Sequence, residues 1–200
     1  MAFSESSTVE QMVLDACVAN GWRYVPAAEL GRQLHEPMVE AMLRQALIRL
    51  NPEIAEQPDR ADEVLYRLRA IPLSVSTDGL VRANETFAAW LRNEKTMPFG
   101  PRNEHTPVRL IDYDHIGTAK DGNEYIVTNQ WTFKPSPTGQ VEKRFDVVLF
   151  VNGLPLAIGE AKTPVRPAVT WVDGAAQVHD DYEQSVPQMF AANVFSFATE

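Results

Sequence analysis

The spacing of apolar side chains along the chain predicts several amphipathic helices. Apolar residues recur every three to four positions in these segments, with polar residues between them. We expect helices over residues 7–20, 36–50, 61–71, 84–91 and 170–184. Asn84 is typical of an N-cap, and Thr170 with Asp173 has the spacing of a capping box, so both mark predicted helix starts.

Other segments are short, apolar and rich in β-branched or aromatic residues, which is typical of strands. We expect strands over residues 22–25, 108–111, 124–133 and 193–198, with a hairpin over 146–162. The order of elements predicts one α/β domain in which helices flank a mixed sheet. Its core would comprise about residues 1–26 and 106–200, and residues 27–105 would form a helical insertion.

The predicted hairpin, DVVLFVNGLPLAIGEAK, is apolar except at its outer ends, which carry Asp146, Glu160 and Lys162. Asn-Gly at residues 152–153 marks the turn. A two-residue turn would leave Asp146 facing away from Glu160. A three-residue loop over 152–154, or a bulge with the same effect, would bring the two carboxylates opposite each other. We predict the three-residue loop, because this register builds a site with two carboxylates.

Charge at the end of a buried strand indicates pairing or metal binding. Asp146 and Glu160, with the backbone carbonyl of Ala161, are candidate ligands for Mg²⁺, which prefers oxygen atoms. Lys162 would orient an attacking water or offset negative charge, as in phosphodiester hydrolysis. The alternative is a solvated strand end that carries a simple Glu/Lys pair.

Composition narrows the function classes. The net charge of −9 argues against non-specific DNA binding, and we expect weak DNA binding by the isolated chain. A single cysteine, Cys17, fits a reducing compartment, and we expect a cytoplasmic protein without a leader or a membrane span. The histidines show no zinc-binding spacing, and the chain has no G-x-x-x-x-G-K-[ST] phosphate loop.

The stretch FDVVLFVNGLPLAIGEAKTP resembles the nuclease motif of the R (restriction and translocation) subunit of type I restriction enzymes, which belongs to the PD-(D/E)xK nuclease group. The resemblance covers nearly the whole chain. STVEQMVLDACVANGWRYV is similar to the opening helix and strand of that subunit, and AAQVHDDYEQSVPQMFAANVFSFATE to the helix and strand after the site.

The resemblance implies a restriction-endonuclease-like fold and an endonuclease that cuts double-stranded DNA with Mg²⁺, for which Mn²⁺ would substitute. It assigns Asp146 and Glu160 as metal ligands and Lys162 as the catalytic lysine. It also implies methylation and specificity subunits as partners, and an ATP-driven helicase motor in the same full-length chain. Because the phosphate loop is missing, we interpret this chain as a fragment or a trimmed N-terminal domain, with ATP used only by the motor.

The resemblance nominates three further residues. Glu10 would help to hold metal, although Ser7-x-x-Glu10 is also a capping box. Gln177 and Tyr182 correspond to a helical Gln-x-x-x-Tyr motif, but here one more residue separates them. Five residues span about 140° around an α-helix rather than one face. Either Gln177 acts without Tyr182 or the helix is distorted, and we expect Tyr182 to be a core residue.

Two alternatives remain open at the level of sequence. The chain would be another enzyme of the PD-(D/E)xK group, such as a DNA-repair nuclease, or a non-catalytic DNA-binding or docking module with the same fold.

Overall fold

The computed structural model describes residues 6–162 and 170–200, with side chains from residue 9 onwards. Its α-helices are α1 Ser6–Ala19, α2 Glu40–Leu50, α3 Pro52–Glu56, α4 Arg60–Asp78, α5 Leu80–Leu91, α6 Trp171–Ala176 and α7 Glu183–Ser185. A π-helical segment, Gln177–Tyr182, joins α6 to α7. Short 3-10 turns occupy Ala27–Glu29, Pro101–Asn103 and Pro187–Phe190.

The strands form a mixed sheet with helices against it. They are β1 Arg23–Tyr24, β2 Thr96–Met97, β3 Thr106–Pro107, β4 Tyr125–Phe133, β5 Lys143–Val151, β6 Leu154–Ala161 and β7 Phe195–Thr199. The main sheet has the order β1-β4-β5-β6-β7, antiparallel at its centre and parallel at both outer pairs, while β2 and β3 form a separate antiparallel pair. The predicted α/β class and mixed sheet are therefore confirmed, consistent with a restriction-endonuclease-like fold.

The two faces of the sheet pack against different helical segments of the chain. On one face, Leu14 of α1 packs against Val127 and Val147. On the other face, Ile158 packs with residues of the π-helical segment and the turn after it, including Val178. Each fully buried side chain of this size contributes about 1.5–3 kcal/mol relative to exposure. The sheet is thereby held from both sides, which fixes its strand ends in space.

The helices α2 to α5 lie in the chain between β1 and β4, which are adjacent parallel strands of the sheet. Their apolar stripes meet in a cluster that includes Leu43, Leu47, Leu68 and Phe87. The predicted helical stripes are thus confirmed, whereas the division into core and insertion stays a prediction. Within the described residues, no helix combines the length and the apolarity needed to cross a membrane.

The predicted strand at residues 108–111 is wrong. Only Thr106–Pro107 pairs with another strand, and the apolar residues that follow are buried against the helices instead. The backbone of this segment is hydrogen-bonded outside the main sheet, since Val108 N–H donates to the Lys95 carbonyl and Arg109 N–H donates to Asn51 Oδ1 at 2.7 Å. The apolar run therefore reflects burial and not strand pairing.

Some predicted helix boundaries are also wrong. Asn84 is not an N-cap, because α5 begins four residues earlier, after Gly79. Its side chain instead donates to the Asn193 carbonyl at 2.8 Å, which ties α5 to the segment before β7. The predicted helix at 36–50 begins only at Glu40, because Val39 has a non-helical backbone and donates its N–H to the Gly153 carbonyl of the hairpin turn at 2.9 Å.

The helix after the hairpin begins as predicted. Asp173 Oδ2 accepts the backbone N–H of Thr170 at 2.6 Å, which confirms the capping interaction between these two residues.

Candidate active site

The hairpin turn is tighter than predicted. Val151 pairs directly with Leu154, so the turn contains two residues, Asn152 and Gly153. Both have positive φ, 53° and 81°, as a type I′ turn requires. The predicted three-residue loop over 152–154 is therefore wrong.

A β-bulge restores the register that the loop was expected to give. The pairing of β5 with β6 shifts by one residue after the turn, so that Leu149 faces Ala157 and Leu156 is the extra residue. The shifted register continues to the outer end of the strands. Extended by one residue beyond the last pair, it places Asp146 opposite Glu160. The bulged equivalent of the predicted register is thus what the chain adopts.

Asp146 is held between its two neighbouring strands. Its Oδ2 accepts the backbone N–H of Ala161 on β6 at 3.0 Å, and its Oδ1 lies 3.4 Å from Gln130 Nε2 on β4. The alternation of β5 also changes here, since Phe145 packs in the same cluster as Val148 although the two are an odd number of positions apart. The carboxylate is therefore fixed by groups on both neighbouring strands at this irregular position.

Glu160 is only 4% exposed. Its Oε1 accepts from Lys162 Nζ at 2.7 Å, and its Oε2 lies 3.3 Å from the Tyr182 hydroxyl. Burial raises the pKa of Glu160, the nearby charge of Asp146 raises it further, and Lys162 opposes both. The Lys162 side chain is itself 16% exposed, so the solvated Glu/Lys pair considered from the sequence is not what the chain forms.

A π-helix brings Gln177 and Tyr182 to the same side. Their five-residue separation matches the i to i+5 hydrogen bond of this helix type, seen where Glu183 N–H donates to the Val178 carbonyl. Gln177 Nε2 donates to the Tyr182 hydroxyl, and Gln177 Oε1 accepts from Lys162. Helix distortion, one of the two predicted alternatives, is therefore the one that occurs.

Tyr182 combines a core ring with a hydroxyl in the site. The residue is buried, and its ring meets that of Phe145 edge-on with centroids 5.0 Å apart. Burial raises the pKa of Tyr182, and the charges of Glu160 and Asp146 raise it further, so the hydroxyl keeps its proton. The expectation of a core tyrosine is confirmed, while a part in catalysis stays a prediction.

Glu10 reaches the site from α1. It is buried, and its Oε2 accepts from Gln130 Nε2 at 2.8 Å. Burial raises the pKa of Glu10, and the Asp146 charge raises it further, although the Gln130 hydrogen bond lowers it. The side chain of Ser7 lies outside the described residues, so the capping alternative does too.

Sequence reasoning missed Gln130. Its amide links the carboxylates of Glu10 and Asp146, and its φ of 53° is left-handed within a strand. The available signal was the pair of amides, Asn129-Gln130, in a strand otherwise made of β-branched and aromatic residues.

Comparison with known proteins places the chain. The family model of the type I restriction enzyme R protein N terminus matches residues 2–200. The chain belongs to this family. It is 28% identical over 198 residues to the type I restriction enzyme HindI endonuclease subunit of Haemophilus influenzae, with 92% of this chain and 17% of that protein covered.

A second relative comes from Methanocaldococcus jannaschii. The chain is 25% identical over 191 residues to a protein provisionally named the type I restriction enzyme MjaIXP endonuclease subunit, with 94% of this chain and 18% of that protein covered. The chain thus corresponds to the N-terminal region of a type I restriction enzyme endonuclease subunit, and it spans less than a fifth of the length of these two relatives.

The donor set of this R-protein N-terminal region fits a hard divalent cation. Among residues 6–162 and 170–200, no three His, Cys, Asp or Glu side chains converge as a metal site. Magnesium, however, is usually held by one or two carboxylates and keeps several waters. Asp146 and Glu160, with the Ala161 carbonyl beside them, provide such a set. Burial and the nearby charge of Asp146 raise the pKa of Glu160, and a cation between the two carboxylates would relieve this repulsion.

Proposed function

We propose that this chain is a Mg²⁺-dependent endonuclease domain of the PD-(D/E)xK group, which hydrolyses phosphodiester bonds of double-stranded DNA within a type I restriction R subunit. The observation that carries the proposal is the bulged register that sets Asp146 opposite Glu160, with Lys162 beside them. The family match and the names of the relatives support a nuclease.

Asp146, Glu160 and the Ala161 carbonyl would hold the metal, with Glu10 as an additional carboxylate. When bound, Mg²⁺ or Mn²⁺ would lower the pKa of a water molecule and stabilise negative charge on the phosphate. Asp146 is prepared for this part because the Ala161 N–H fixes one of its oxygens at 3.0 Å. Glu160 is prepared because burial and Lys162 hold its side chain in one place.

Lys162 would offset charge in the transition state or orient the attacking water. Its ammonium group contacts Glu160 Oε1 and Gln177 Oε1, so two side chains on different elements fix its position. A cation fixed in advance stabilises developing charge without reorganisation during the reaction. Gln177 and Tyr182 would act as positioning residues for Lys162 and Glu160.

The remaining parts of the proposal concern the whole subunit. Methylation and specificity subunits would be its partners, and a helicase motor in the full-length chain would hydrolyse ATP. Such an enzyme would work in the cytoplasm. The family match favours this assignment over a DNA-repair nuclease of the same group.

A calorimetric titration of the 200-residue chain with Mn²⁺ tests the metal site. We expect binding by the native chain and by Glu85→Ala, a control on the exposed face of α5, and no measurable binding by Glu160→Ala. Equal binding by all three proteins would contradict a metal site at the hairpin.

Cleavage of duplex DNA in the presence of Mg²⁺ tests the chemistry. We expect Asp146→Ala to lower the cleavage rate by about a thousandfold, since it removes a ligand and the charge that positions the metal. Metal binding without cleavage by the native chain would favour the non-catalytic module instead.

A further inference from the structure

We propose that Arg144 binds a phosphate of the DNA backbone at the rim of the carboxylate site, an assignment that rests on the proposed nuclease function. In the carboxylate site, three acids outnumber the one lysine, Lys162, whose ammonium group is already paired with Glu160. Glu10, Asp146 and Glu160 are all acidic, and the chain carries a net charge of −9. A phosphodiester that reaches this site therefore needs a cation at its edge.

The basic residues that flank the site differ in how far they are already engaged. Lys162 contacts Glu160 and Gln177, as described above. Lys143 Nζ lies 2.6 and 2.7 Å from the two carboxylate oxygens of Asp181. Both ammonium groups thus have protein partners.

Arg144 is different. It is exposed, and no carboxylate in the described part of the chain lies within ion-pair distance of its guanidinium. Arg166, the other basic residue close to Lys162 in the sequence, lies outside the described residues. Among the described flanking cations, Arg144 is the one that remains available to a ligand.

The backbone of Arg144 is anchored to the site. Arg144 lies on β5 two residues before Asp146, and it pairs with Thr132 on β4. Its carbonyl lies 3.3 Å from the Tyr182 hydroxyl. Thr132 follows two residues after Gln130, whose amide contacts both Glu10 and Asp146, so the Arg144 backbone is held next to the carboxylates.

This placement matches what phosphate recognition requires. A guanidinium is planar, stays charged and donates two parallel hydrogen bonds to a phosphate. Anchored at the strand end, Arg144 would hold one backbone phosphate while the carboxylates stand next to a neighbouring bond. The competing explanation is a solvated residue at the start of a strand, which has no effect on DNA binding.

Salt dependence separates these two explanations. The affinity of the 200-residue chain for a fluorescein-labelled DNA duplex is measured by anisotropy over a series of KCl concentrations. EDTA is present throughout, so that neither metal nor cleavage contributes. The variants are Arg144→Gln, Arg144→Lys and the control Arg82→Gln, which removes an exposed arginine from α5.

We expect Arg144→Gln to weaken binding about tenfold at low salt, the loss of one charge-assisted hydrogen-bonded contact. The slope of log affinity against log salt should decrease by about 0.9, the value for one lost phosphate contact. Arg144→Lys should keep the slope with intermediate affinity, because it keeps the charge but not the paired donors. Arg82→Gln should match the native chain.

An unchanged slope in Arg144→Gln, or the absence of salt-dependent binding by the native chain, would overturn the assignment. The result is independent of the nuclease test. If Arg144→Gln loses one phosphate contact and the native chain does not cleave DNA, the phosphate site is supported and the nuclease function is not. Cleavage that depends on Asp146 but not on Arg144 would do the reverse.

Discussion

The two ends of the β5–β6 hairpin both bury polar groups, and they do so in opposite ways. At the turn, Asn152 is fully buried and neutral. At the outer end, Asp146 and Glu160 face each other as like charges with Lys162 beside them. Both ends follow the rule that buried polar groups have hydrogen-bond partners, but only the outer end sets two like charges opposite each other. The difference indicates which end serves folding and which end serves chemistry.

Every polar atom of the Asn152 side chain has partners. Its Oδ1 accepts from Arg49 Nη2 at 3.1 Å and from the Glu124 N–H at 2.8 Å. Its Nδ2 donates to the Leu110 carbonyl and to Asn123 Oδ1, each at 2.9 Å. This one side chain therefore joins α2, the loop before β4 and the hairpin, and it stabilises all three.

The acids near the two ends have net pKa shifts in opposite directions, although burial raises the pKa at both ends. At the turn end, burial alone would raise the pKa of Asp112 and Asp121, but hydrogen bonds from Gly122 and Asn123 N–H groups, among others, outweigh it and lower both pKa values. At the outer end, the pKa values of Glu10 and Glu160 stay raised. Carboxylates left partly uncompensated are typical of functional sites.

The largest effect on stability is expected at the turn. Asn152→Ala should lower the free energy of unfolding by about 3 kcal/mol, because it leaves several buried partners unpaired and puts alanine in a left-handed conformation. Chemical denaturation of the 200-residue chain measures the loss.

Asn152→Gly serves as the matched control, since glycine adopts the positive φ without strain. It should recover only the smaller, conformational part of the loss. If either variant were as stable as the native chain, the buried network at the turn would not hold the fold as argued here.

The free energy of unfolding, measured as a function of pH, should show the contrast between the two ends of the hairpin as two separate pH ranges in which stability changes. Glu10 and Glu160 have folded-state pKa values above the ordinary 4.5, so the folded chain binds more protons than the unfolded chain in that range. Without metal, stability should therefore fall as the pH rises above about 4.5. Asp112 and Asp121 have lowered pKa values, so their contribution is lost as the pH falls below their ordinary 3.8.

Glu160→Gln isolates the contribution of Glu160 to the first range, in which stability falls as the pH rises. Without a charge to bury, this variant should lose less stability between acidic and neutral pH than the native chain, while its behaviour below pH 3.8 stays the same. Chemical denaturation in EDTA at a series of pH values measures the free energy of unfolding in both ranges. If the free energy of unfolding had the same pH dependence in the native chain and in the variant, ionisation of Glu160 would not destabilise the fold.

The sequence predicted regular elements better than irregular ones. The stripes of α2 and α4 follow a simple period, and burial of Leu43 and Leu68 agrees with it. The hairpin also followed from alternation and from the turn signal, whereas the pairing of its two acids was predicted from the chemistry of a two-carboxylate site. Such patterns are repeated along a segment, so one exception does not hide them.

Three features at the site could not be decided from the sequence, although a bulge and a helix distortion were among the alternatives, because each is a single-residue departure from a period. The bulge at Leu156 replaced the predicted longer loop with the same final register. The left-handed backbone at Gln130 has no residue preference that would announce it. An α-helical period would place Gln177 and Tyr182 on different faces. The wider turn of the π-helix accommodates the extra residue between them and brings both to the same side. Irregularities of this kind concentrate at functional sites.

The smallest expected effect tests whether the π-helix has a purpose. Tyr182→Phe keeps the ring against Phe145 and removes only the hydroxyl near Glu160. Stability should therefore change by less than about 1 kcal/mol, whereas Mn²⁺ affinity and the rate of DNA cleavage should fall by roughly tenfold, the effect of one hydrogen bond to a charged group. Tyr66→Phe, exposed on α4, is the control and should alter neither. A Tyr182→Phe chain with native affinity and rate would leave the π-helix a packing feature, and the chemistry would then rest on the hairpin alone.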